Sequence, residues 1–219
     1  MAIQSQSNPT LAAELPAPSR RVDAGIDLYW LPLGAGGHLV RLNGRIYEAV
    51  KAHLEGRRAF DLYHSALEVF VPEGNFIIEQ AWPIRDSDGP SRGVAVEGSV
   101  FGRRLGRFRL FRYELRRWRN GIIPDGNEAV ASPQRVSDDP ELARRLLDLV
   151  GFVPTPVWGR DEQRTGEMWN SNSVISWLLA RSGVPTDTIQ PPPGGRAPGW
   201  NAGLVMARRH QGELSWQFS

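Results

Sequence analysis

Asp61-Leu62-Tyr63-His64-Ser65-Ala66-Leu67-Glu68-Val69-Phe70-Val71 decides the fold, because its residues sort by twos. Leu62, His64, Ala66, Glu68 and Phe70 share one face of an extended chain; Tyr63, Ser65, Leu67, Val69 and Val71 share the other. That alternation predicts a strand. Pro72-Glu73-Gly74-Asn75 supplies turn residues, and Phe76 to Ala81 returns as the hairpin partner. Upstream, Ile26 to Leu33 reads as a first strand closed by Gly34-Ala35-Gly36-Gly37, a turn whose spacing matches neither a dinucleotide fingerprint nor a P-loop. Further strands are expected at Gly93 to Phe101 and Arg107 to Arg117, making a small antiparallel sheet the centre of the chain.

Helices are expected around this sheet. Asn43 opens one through Gly56, with Ile46, Val50, His53 and Leu54 on one side. Asp139 caps a second, with Pro140 at its first position and Leu142, Leu146, Leu147 and Val150 following. Asn170-Ser171-Asn172-Ser173-Val174 opens a third, closed by Ser182-Gly183. Gly121 to Ser137 and Val153 to Trp169 read as irregular connections. Thr188 to Gly199 is dominated by proline and glycine and suits either surface packing or closure over a cleft, and Leu204 to Arg208 suggests a last strand. The fold class is α+β, with residues 1–23 a mobile tail and residues 24–219 a single domain.

Composition excludes several chemistries. The 219 residues contain no cysteine, which removes disulfides, thiolate metal sites and a cysteine nucleophile. His38, His53, His64 and His210 form no close pair or HExxH run, so no metal and no cofactor is expected. Net charge is +2, but 25 of the 26 basic residues are arginine, as high-GC coding favours. No stretch reaches the length of a membrane span and the start lacks a secretory signal, so a soluble, cytoplasmic protein is expected. The arginine-rich stretch from Arg103 to Arg119 offers Arg112, Arg116 and Arg117 as possible contacts to an anion. Glu114 interrupts it and no nucleic-acid module is recognisable, so nucleic acid is not an expected partner.

Asn and Ser at a helix opening have two readings. They are the ordinary capping residues, and they also stand where orphan N–H groups favour developing negative charge. The order of Tyr63-His64-Ser65-Ala66-Leu67-Glu68-Val69, Phe76-Ile77-Ile78-Glu79-Gln80-Ala81 and Asn170-Ser171-Asn172 resembles the circularly permuted papain-like NlpC-type superfamily, including its lecithin:retinol acyltransferase-like and PPPDE-like branches. The resemblance covers residues 60–82 and 168–183 and implies a permuted papain-like fold, with Ser171 at the usual cysteine. It implies further that His64 acts as base, that Glu79 orients it, with Gln80 the fallback if the register slips, and that the backbone N–H of Ser171 or Asn172 receives the oxyanion at a helix opening capped by Asn170 and Asn172.

A helix end stabilises an anion by ~0.3–1 kcal/mol, less than one pKa unit, so a serine there must lose its proton to a true general base. The implied activity is a hydrolase or acyltransferase forming an acyl-enzyme on Ser171 from an amide, ester or thioester, with peptide, isopeptide or acylated substrates. The alternative is a binding protein of the same fold, without catalysis, that retains a peptide or acyl-ligand cleft. Ser171 is read either as native or as a replaced cysteine, and the oligomeric state is left open.

Overall fold

The computed structural model describes residues 24–33, 60–81, 93–123 and 125–211. The expected tail, the Gly34 to Gly37 turn and the Asn43 helix lie outside these residues. Within them runs a seven-stranded sheet: β1 (Gly25–Pro32), β2 (Asp61–Val71), β3 (Gly74–Ala81), β4 (Val94–Ser99), β5 (Arg112–Arg119), β6 (Gln134–Ser137) and β7 (Gly195–Arg196). The order is β4-β5-β3-β2-β1-β6, antiparallel throughout, while β7 adds a short parallel pairing to the start of β2. Three helices, α1 (Pro140–Leu149), α2 (Ser171–Ser182) and α3 (Trp200–His210), accompany the sheet, and the chain is α+β.

The period-two reading of β2 holds residue by residue. Tyr63, Leu67, Val69 and Val71 join Ile26, Leu28 and Trp30 of β1 in a core shared with Leu146, Val174, Ile175 and Leu178 of the helices. Ala66 faces the other way and packs with Leu31, Ile77 and Ile123. The sheet therefore has a helix face and a second face, the latter covered partly by the connection that follows β5. At the hairpin Val71 pairs with Gly74, so Pro72 and Glu73 alone make the turn.

Three expectations fail for identifiable reasons. The segment expected as a strand from Arg107 begins only at Arg112; before it, Leu105–Arg107 and Arg109–Phe111 form 3-10 turns with no buried residue, so no core contact holds them extended. Gln134–Ser137, expected as loop, pairs with β1 as an edge strand. Residues Leu204 to Arg208 are helical: Ala202, Gly203, Met206 and Ala207 are buried at helical spacing within α3. Gly203 looks like a breaker in sequence, yet a Cβ there would lie 2.1 Å from both the Ser173 carbonyl and the Ser176 Oγ. It is small because two helices touch there.

Candidate functional site

The opening of α2 is a closed hydrogen-bonded knot. Asn170 is extended (φ −159°) and its side chain accepts from the N–H groups of Asn172 and Ser173, while the Asn170 N–H donates to the Ser173 Oγ: a reciprocal capping box. Asn172, 2% exposed, accepts from the Ser65 hydroxyl at 2.8 Å and donates to the carbonyls of Tyr63 and Pro198, each at 2.9 Å. Asn170 donates to the same Pro198 carbonyl at 2.8 Å, and the Ser173 hydroxyl donates to the Gly199 carbonyl at 2.7 Å. Gly199 has φ +85°, and any Cβ there would strike the Asn170 amide. The Pro-rich segment is thereby fastened over the helix start, in keeping with packing.

The residues expected to form a triad are divided by the sheet. Tyr63 and Ser65 point to α2, so His64 between them points to the second face, where its ladder partner is Leu31. Glu79 shares that face: Ile78 opposite Leu67 belongs to the helix core, Ile77 to the second-face cluster, and Glu79 follows Ile77 by two. His64 and Glu79 are thus on one side as parity requires, and Ser171 is on the other. The pairing of His64 with Ser171 as base and nucleophile is not formed.

Glu79 is likewise engaged elsewhere, 3.5 Å from Arg116, which also holds Glu114 at 2.9 Å. Gln80 faces the helices opposite Leu115. Of the other histidines, His38 and His53 lie outside the described residues, and His210 meets the edge of Trp177 at 6.3 Å between ring centroids. Of the two expected oxyanion positions, the Asn172 N–H is already occupied by the Asn170 side chain. Among the described residues no group of three or more His, Asp or Glu side chains is arranged to hold a metal.

Burial lowers the His64 pKa from its ordinary 6.5 to about 4, and the acid whose field partly opposes this is Asp125, on the connection covering the second face. Between those values the unfolded chain takes up a proton that the folded chain refuses, so stability is complete above pH 6.5 and falls as pH drops towards 4. The loss is at most ~3 kcal/mol, reduced by the partial exposure of the side chain. Urea midpoints measured across this range should fall more steeply for the parent than for His64→Leu. Parallel curves would disprove a buried neutral imidazole, since the shared carboxylates cancel in the difference.

Arg112, Arg116 and Arg117 do not form one anion contact. Arg116 is 3% exposed between two carboxylates; Arg117 points to the opposite face and donates to the Leu147 carbonyl at 3.0 Å; Arg112 bonds Glu97 and the Gly106 carbonyl. Alternation along β5 and the demand of buried carboxylates for a partner separate them.

The second face carries a polar constellation that sequence reasoning passed over. Glu68 accepts from the Tyr29 hydroxyl at 2.9 Å on one oxygen and from the Asn75 amide at 2.7 Å on the other. Its ladder partner Asp27 is buried, its pKa raised by that burial despite Arg135 at 2.6 Å. Tyr29 is raised too, by burial first and then by its bond to Glu68. Tyr29, Glu68 and Asn75 border a groove of about 410 Å³ lined also by Ile77, Ile122, Ile123 and Asn127. The available signal was Glu68 itself, a carboxylate on the strand face it shares with Leu62, His64, Ala66 and Phe70, with Tyr29 two strand positions beyond Asp27.

The chain matches no protein-family model, no curated protein and no solved structure. No helix among the described residues is long and apolar enough to cross a membrane.

Proposed function

We propose that this chain is a non-catalytic binding protein of the permuted papain-like class, whose groove on the second sheet face takes a basic side chain of a peptide. The kinship rests on the Asn-Ser-Asn helix opening docked against the histidine-bearing strand. Against catalysis stands the sheet between Ser171 and His64, which keeps the expected base from taking the serine's proton during attack. The observation that carries the binding reading is Glu68, a carboxylate fixed through both oxygens at the border of a groove with isoleucine walls. A carboxylate retains lone pairs after two hydrogen bonds, and an ammonium or guanidinium is the complementary donor. The isoleucines would cover the methylene stem of the same side chain.

An alanine-rich peptide bearing one arginine should bind the full chain, and its norleucine counterpart should bind at least tenfold more weakly. Glu68→Gln should abolish the difference, since a charge-assisted hydrogen bond contributes ~1.5–3 kcal/mol. A serine-reactive phosphonate should leave the intact mass unchanged. Equal affinity for both peptides would remove the basic-side-chain reading. An adduct that disappears in Ser171→Ala would restore the acyl-enzyme.

A further inference from the structure

The connection between β4 and β5 leaves the sheet edge and returns to it almost at the same point, because the Val100 N–H donates to the Phe111 carbonyl at 2.8 Å. The two 3-10 turns keep the excursion compact. Compact loops ordinarily turn their apolar side chains inward, but Phe101, Leu105, Phe108 and Leu110 turn outward, with Phe101 62% and Leu110 75% exposed. These four are half of the eight exposed large hydrophobic residues among the described ones. Such concentration marks an interaction surface rather than scattered exposure.

The charge on the same segment is of one sign. Arg103, Arg104, Arg107 and Arg109 alternate with the apolar residues, and no acidic residue occurs between Phe101 and Arg112. Among the described residues, acids that meet it from neighbouring elements include Glu162, 3.4 Å from Arg103, and Glu97, 3.2 Å from Arg112. The Arg107 guanidinium lies 5.0 Å over the Phe108 ring, so cation and apolar ring occupy one side of the loop.

We propose that the excursion from Phe101 to Phe111 docks the protein onto an anionic lipid surface, its phenylalanines and leucines entering the boundary between headgroups and acyl chains and its arginines meeting lipid phosphates. Exposed apolar groups interleaved with cations are what an interfacial anchor requires. Leucine decides against a nucleic acid as occupant: two of the four outward residues have no ring to stack on a base. The surface lies at the β4 edge and does not depend on the groove beside Glu68.

The test uses the full chain with vesicles of phosphatidylcholine, with and without phosphatidylserine. Partitioning should require phosphatidylserine and weaken with salt. Arg104→Gln with Arg107→Gln should weaken it by about 25-fold, about fivefold for each arginine. Because the chain has no cysteine, Leu110→Cys carries an environment-sensitive dye at one position only, and its emission should shift to the blue on adding anionic vesicles. The same dye at Val130→Cys, near β1 across the sheet, should not respond. Equal partitioning to neutral vesicles, no partitioning at all, a shift at Val130 in place of Leu110, or salt-sensitive binding to an oligonucleotide without vesicle binding would each overturn the proposal.

Discussion

Arg116→Met should destabilise the protein by about 3–5 kcal/mol, measured as a lowered urea midpoint with an unchanged slope. Arg116 is 3% exposed, with its guanidinium against Glu79 at 3.5 Å and Glu114 at 2.9 Å on the same sheet face. Two carboxylates with side-chain exposures of 12% and 11% have little water to fall back on, so removal of the cation leaves each facing a like charge in a medium of low polarity. The loss belongs to the two acids deprived of their shared cation and not to the ion pair as such. The triple variant Arg116→Met, Glu79→Gln, Glu114→Gln should therefore regain most of it. If Arg116→Met is nearly neutral, the carboxylates are reached by water and the second face is more open than its geometry indicates.

Strand β2, the helix caps and Arg116 show what was legible in the chain and what was not. Alternation along β2 revealed both faces of the sheet, because a strand's period is a local property and Ser65 between Tyr63 and Ala66 did not disturb it. The caps of α1 and α2 were equally legible: Asp139 does accept from the Glu141 N–H at 2.8 Å, and Gly183 ends α2 in the left-handed region at φ +99°. Which face α2 covers was not legible. Nothing local in Tyr63-His64-Ser65 says whether the histidine or its neighbours meet a helix more than a hundred residues later. That choice is made by Ser65 and the Tyr63 carbonyl finding Asn172. Resemblance assigned His64 to the helix, and tertiary hydrogen bonding assigned it to the opposite face. The burial of Arg116 was hidden for a related reason: an arginine run does not show which of its members face buried carboxylates.

Asn172→Ala should cost about 2–6 kcal/mol, whereas Ser171→Ala, one position earlier, should stay within about 0.5 kcal/mol. The contrast follows from where each side chain lies. Ser171 occupies the first helical position, half-buried, and the cap is made by Asn170 and Ser173 without it. Asn172 lies between α2 and β2 and joins three partners in a buried setting. With alanine the Ser65 hydroxyl and the Tyr63 carbonyl lose their partner, while the Pro198 carbonyl keeps Asn170. Each stranded buried group costs ~1–3 kcal/mol, which sets the range. Pairing Asn172→Ala with Ser65→Ala should cost less than the sum of the two, by at least 0.5 kcal/mol by the usual measure of coupled contacts. An acyl-enzyme mechanism expects the reverse ranking in an activity assay, with Ser171→Ala silencing the protein and Asn172 affecting only its stability. Stability and labelling measured on the same pair of variants therefore separate a helix opening that fastens the fold from one that attacks a substrate.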